Sequence, residues 1–332
     1  MTRVGIRHQS VVLGQKVWYR ELPDVAEQIR HLQIPDEEEI WNWGFCRRSE
    51  GGYDTHVADG FANLAAALRA DAIAIDAVLC CDPVHNDPQR FVAAVTERVL
   101  PSLDVPGERM RRVEGRECVN VIQAVADASA LLREGHGDVL IVAAEQVDET
   151  RSHRLRKYSM FSDFCLALVV SRDLQHCAWE VLDVQVCADA NPGEDTGGIL
   201  MRQLEKDCVE RLLSQRGLTR RDVSRFFYLN LFEPIAEMKA KQIGFTPAHI
   251  YTQATRDRGH CYGADPFINL EAYASGGGGG ATHMLCASGR ASMPSASANS
   301  RASIAARAPS NAASPDERGI ASASSACWRA RP

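Results

Sequence analysis

The chain has 332 residues, 45% of them apolar and 24% charged, ordinary proportions for a soluble globular protein with room for two core-forming units. A formal net charge of −6 leaves no basic footprint and argues against nucleic acid as a partner. No run is long and apolar enough to span a membrane, and the N-terminus lacks the apolar core of a signal peptide.

In chain order, residues 56–81 read as a helix from His56 to Arg69, a short break, and a strand from Asp76 to Cys81. Pro88 to Leu100 is a further helical stretch. Gly115-Arg116-Glu117 then leads into Cys118 and an apolar-periodic run, Val119 to Leu132. That run ends at Glu134-Gly135-His136-Gly137, before a core strand from Asp138 to Glu145. Cys118 is thus a thiol at the start of a buried helix. Backbone N–H groups and the helix dipole favour negative charge there, which lowers a thiol pKa and makes a nucleophile. A buried structural cysteine fits the same place, because free Cys is among the most buried residue types. Glu117 acts against a nucleophile unless it points away or pairs with Arg116.

The order then repeats. Leu200 to Gln215 is a helix, Gly217 to Asp222 the break, Val223 to Leu229 a strand, and Pro234 to Ile243 another helix. The second half next reaches Gly259-His260 and Asp265-Pro266, then the helical Phe267 to Tyr273, so Cys118 and His260 occupy matching places. Strands alternating with helices define an α/β chain with mostly parallel sheets covered by helices. Two pseudo-symmetric halves bring matching helix starts toward their shared interface, where sites often form. The halves are 1–175, carrying Cys118, and 176–289, carrying His260; an atypical tail occupies 290–332.

His260 lies in a glycine-bounded turn, as a general base or as an exposed turn residue. Asp265 is either the N-cap of the next helix, with Pro266 at its first position, or the carboxylate that orients the His260 imidazole. His85, His153 and His176 read as surface residues, and Trp41 and Trp43 as an entrance lining or an aromatic surface helix. Of the eleven cysteines, Cys80 and Cys81 are adjacent and no Cys-x-x-Cys pair exists. These features point to a reduced, cytoplasmic protein without a cysteine-based zinc cluster or other metal site.

These residues resemble the thiolase-fold condensing enzymes, most nearly the ketoacyl synthase III branch, over about residues 3–289. Val4-Gly5-Ile6 is similar to the opening strand of that family, Asp76 to Cys81 to its Ile-Asp-x-Val-Leu strand, and Gly115 through Cys118 to its nucleophile site. Phe161-Ser162-Asp163-Phe164 stands where Phe-Gly-Asp-Gly is usual, and Gly259-His260 where Gly-Asn is usual. The resemblance implies a five-layered αβαβα fold, normally a homodimer. It also implies acyl transfer onto Cys118 from a coenzyme A or acyl-carrier-protein thioester, with no tightly bound cofactor. The branch uses Cys, His and Asn, but here Leu229 falls at the histidine position and His260 at the asparagine position. The exchange removes one expected donor for decarboxylative carbon–carbon bond formation. It resembles a subset of antibiotic pathways, among them starter-unit ketosynthases and acyltransferases, in which Ser or Cys works with His and Asp. The matching positions are Cys118, His260 and Asp265. A decarboxylating starter-unit ketosynthase and a non-catalytic partner subunit are the rival readings.

From about Ala287 the chain becomes rich in Ala, Ser, Arg and Pro with no sustained period. The related family ends with a glycine-rich loop and a core strand. A message GGC CGG GCG TCT ATG CCG for Gly289 to Pro294, shifted by two bases, encodes Pro-Gly-Val-Tyr-Ala, a good ending for that family. Residues after Gly289 are therefore either read out of frame or a disordered polar tail.

Overall fold

The computed structural model describes residues 3–114, 117–149, 152–188, 199–278, 282–293 and 296–307. The strands are β1 (Val4–Leu13), β2 (Gln15–Trp18), β3 (Phe45–Arg48), β4 (Ile75–Cys81), β5 (Met110–Val113), β6 (Asp138–Glu145), β7 (Phe164–Ser171), β8 (Trp179–Ala188), β9 (Val223–Phe227), β10 (Thr282–Met293) and β11 (Ala296–Arg307). The helices are α1 (Val25–Leu32), α2 (Glu38–Trp41), α3 (Tyr53–Ala70), α4 (Pro88–Ala94), α5 (Asn120–Arg133), α6 (Ile199–Gln215), α7 (Glu233–Gln242), α8 (Thr255–Arg258) and α9 (Asp265–Ser275).

Strands that are apolar at consecutive positions need cover on both faces. Side-chain alternation divides each such strand between two cores. Leu140 and Val142 of β6 and Ala167 and Val169 of β7 meet Val57, Phe61 and Leu68 of α3 and Phe91 of α4. Their neighbours Val139, Ile141, Leu166 and Leu168 face the central core with Ile122 and Val125 of α5. That core also holds Phe267 and Ile268 of α9, Phe226 of β9, Leu285 of β10, and Val209 and Leu212 of α6. Helices α3 and α4 thus cover one face of the first-half strands and α5 the other, in keeping with the five-layered thiolase-like architecture.

The strands run β5-β4-β6-β7-β1-β8-β11-β10-β9. The halves join where β1 meets β8 antiparallel, with Gly5 opposite Glu180. A Cβ at Gly5 would lie 2.5 Å from the Trp179 carbonyl oxygen, so a side chain there would force the halves apart. Outward from this seam, β7, β6 and β4 of the first half correspond to β11, β10 and β9 of the second. Helices α5 and α9 each run into the third strand from the seam, so the matching places of Cys118 and His260 are real positions in the fold.

Two expectations need correction. The pairing is mixed rather than mostly parallel: β4 with β5, β4 with β6, and β9 with β10 are parallel. The pairs β6–β7, β1–β7, β1–β8, β8–β11 and β10–β11 are antiparallel. Only strands joined through a crossover helix are forced parallel, and β6 reaches β7 with no helix between them. The segment read as tail also differs. Residues 296–307 form β11, hydrogen-bonded between β8 and β10, with Ile304, Ala305 and Ala306 buried. A strand between two others satisfies its backbone whatever its composition. Residues 294, 295 and 308–332 of that segment lie outside the described residues.

Candidate active site

Cys118 lies in the single turn Glu117–Val119 that leads into α5. Glu117 adopts φ +44, in the left-handed region that L-residues rarely occupy, so the chain bends sharply just before the thiol. Cys118 is half-buried, whereas every other described cysteine is buried. Burial pushes the thiols of Cys81 and Cys261 well above their usual range.

His260 is held by backbone bonds from the other half. Its N–H donates to the Met160 carbonyl at 2.7 Å, and its carbonyl accepts from Ser162 N–H at 3.0 Å. Gly259 precedes it with φ +62, and a Cβ there would lie 2.5 Å from Ser162 Oγ. The imidazole is 4% exposed, with Nε2 3.8 Å from Cys118 Sγ and Nδ1 hydrogen-bonded to Asp265 Oδ2. Phe161 and Tyr262 flank the ring, with centroids at 5.5 and 5.2 Å. The turns approach closely at Gly263, where a Cβ would lie 2.8 Å from the Cys118 carbonyl oxygen.

Asp265 is not the N-cap of α9. That position belongs to Ala264, and Asp265 is already helical at φ −50, ψ −50. Its fully buried carboxylate turns back to accept from Cys261 N–H at 2.7 Å, Asn230 N–H at 2.8 Å, Asn230 Nδ2 at 3.2 Å and His260 Nδ1. An acceptor-only carboxylate at Nδ1 assigns the proton to that nitrogen and leaves Nε2 as an acceptor facing the thiol. Thiol, imidazole and carboxylate thus stand in line, in the geometry of a nucleophile, a base and an orienting group.

Asn230 went unremarked in the sequence as a site residue. It is buried just beyond β9, donates from Nδ2 to the Gly259 carbonyl at 2.8 Å, and accepts from Asn269 at 2.8 Å. It therefore braces both the turn that carries His260 and the carboxylate that aims it. The one sequence signal is an amide inside the apolar stretch from Tyr228 to Phe232. Leu229 beside it is buried and apolar. His85 is exposed, but it lays its ring against Phe161 and Tyr262 at 5.4 and 5.5 Å, at the edge of the site. His153 and His176 lie at the surface. Trp43 is a core residue packed on Phe232 rather than an entrance lining. Asp163 ties Ser49 N–H, Val147 N–H and the Arg154 guanidinium together, fixing the loops beside the site. Among the described residues no group of three or more His, Cys, Asp or Glu side chains is placed to hold a metal ion.

No protein-family model and no curated protein sequence matches the chain. Solved structures do. ChlB3, described as an acyltransferase, superposes with a TM-score of 0.70 at 18% identity over 92% of this chain and 98% of its own. The 3-oxoacyl-[acyl-carrier-protein] synthase III of Aquifex aeolicus gives 0.68 at 16% identity, over 92% and 99%. OleA of Xanthomonas campestris gives 0.67 at 14% identity, over 91% and 98%. The chain therefore has the thiolase-like fold of the ketoacyl synthase III enzymes. Within that fold its structure is similar both to condensing enzymes and to an acyltransferase.

Proposed function

We propose that the protein is an acyltransferase of secondary metabolism. It moves an acyl group from an acyl-carrier-protein or coenzyme A thioester through an acyl-Cys118 intermediate to an acceptor nucleophile. The observation that carries the proposal is the line Cys118 Sγ, His260 Nε2, His260 Nδ1, Asp265 Oδ2, with 3.8 Å across its first gap. The fold shared with ChlB3 and with a 3-oxoacyl-[acyl-carrier-protein] synthase III supports it.

In the first half-reaction His260 Nε2 takes the Cys118 proton as the sulfur attacks the thioester carbonyl. The carrier C–S bond breaks, the acyl–Sγ bond forms, and the departing thiolate receives the proton from His260. In the second, Nε2 takes a proton from an acceptor hydroxyl or amine, which attacks the acyl carbon and releases Cys118. Asp265 steadies the imidazolium at both moments. The steps close with the chain's own residues and call on no tightly bound cofactor. The enzyme would work in the cytoplasm as a homodimer.

Intact mass after incubation with acyl thioesters tests this. An adduct is expected on the wild type and none on Cys118→Ala; no adduct on the wild type, or an equal one on the variant, refutes it. Release of carbon dioxide and a β-keto product with malonyl carrier protein would identify a decarboxylating starter-unit ketosynthase instead. Co-purification with a second thiolase-fold chain, without acylation alone, would identify a non-catalytic partner subunit.

A further inference from the structure

Tyr262 is 3% exposed, yet its hydroxyl has no hydrogen-bond partner among the described residues. A buried phenol normally finds one. The residue takes φ +51, a backbone conformation that costs free energy, so the turn holds the ring in place against local preference. Glu145 and Cys118 are the ionisable neighbours that act on the phenol most strongly. Tyr262 and Glu145 line a small cavity whose other walls include Glu117 and Asn120, which flank the nucleophile in sequence. Its volume is about 20 Å³, enough for roughly one water-sized group. Glu145 closes the far end, its carboxylate accepting from Val84 N–H at 2.6 Å and from His85 N–H at 3.2 Å.

We infer that this cavity selects the acyl group, and that Tyr262 is a specificity residue for a short acyl chain carrying a hydroxyl or oxo group. This rests on the acyl-Cys118 reading above. The chain leaves Cys118 past Glu117, and only its polar group enters the cavity, where it accepts a hydrogen bond from the Tyr262 hydroxyl. A plain aliphatic chain of equal length puts an apolar group there and leaves the buried hydroxyl unpaired. Sites with a buried polar group of this kind reject the analogue that lacks its partner.

The experiment compares butyryl-coenzyme A with each enantiomer of β-hydroxybutyryl-coenzyme A, following the rate at which the adduct appears on Cys118 by intact mass. Both rates are taken on each variant, so any general loss of activity cancels in the ratio. The better hydroxyacyl enantiomer should acylate the wild type at least about tenfold faster than butyryl, and Tyr262→Phe should bring the ratio close to one. A wild-type ratio near one, or a ratio unchanged by Tyr262→Phe, overturns the inference while leaving the acyl-enzyme reading standing. No adduct from any thioester overturns both.

Discussion

Asp265→Asn isolates the carboxylate with almost no change in volume. Four donors converge on it: Cys261 N–H, Asn230 N–H, Asn230 Nδ2 and His260 Nδ1. An amide offers one oxygen and turns an NH₂ toward donors that already point inward. At least one buried donor is left unpaired, at a cost of about 1–3 kcal/mol of stability. The chemical effect is larger. Wherever the amide nitrogen faces Nδ1, it donates, and the imidazole proton moves to Nε2. That nitrogen is 3.8 Å from Cys118 Sγ and can then no longer accept the thiol proton. Loss of the correct tautomer lowers rates by roughly 10²- to 10⁴-fold. Single-turnover acylation followed by mass or by release of the carrier thiol measures this, with thermal unfolding as the control for folding. If the folded variant acylates within a few-fold of the wild type, the carboxylate has no orienting role and Asp265 serves only to brace the turn.

Gly263→Ala should lower stability by about 1–3 kcal/mol and slow acylation at least about tenfold, because the new Cβ meets backbone, 2.8 Å from the Cys118 carbonyl oxygen. Denaturant melts and adduct rates check it; wild-type values for both would mean that the turns slide apart freely. Glu145 gives a pH signature. Burial, reinforced by the nearby Asp163 charge, pushes its carboxyl up to about 7 despite the hydrogen bonds it accepts. A carboxyl whose pKa is raised on folding favours the folded state while protonated. Its contribution is therefore full below about 4.5, is lost as pH rises toward 7, and is absent above that. The displacement corresponds to roughly 3 kcal/mol. Glu145→Gln should flatten unfolding free energy between pH 5 and 7 relative to the wild type; parallel curves would show that Glu145 titrates normally.

The elements around Cys118 were legible because α5 is apolar on the face a 3.6-residue period exposes and β6 is a short continuous apolar run bounded by turn residues. The equivalence of the two turns was legible for the same reason. The role of Asp265 was not: Asp-Pro at a helix start is the same two letters for a cap and for an orienting carboxylate. What separates them is Asn230, thirty-five residues away, whose two donors draw the carboxylate out of the capping position. Strand β11 was hidden for a different reason. Its Ala- and Ser-rich sequence has no apolar alternation, and its place comes from the unpaired edges of β8 and β10 rather than from its own side chains. Tyr262 was invisible because an unpaired hydroxyl is a property of surroundings, not of sequence.

The main-chain stitches from His260 to Met160 and Ser162 cross from one lobe to the other. His260 is thus sewn to the lobe that carries Cys118, while its Asp265 and Asn230 partners stay behind. A molecule split between positions 171 and 179 would hold neither a competent nucleophile nor an aligned base in either fragment. Under the proposed mechanism acylation returns only on reassembly, which would make it a reporter of whether the two lobes are docked.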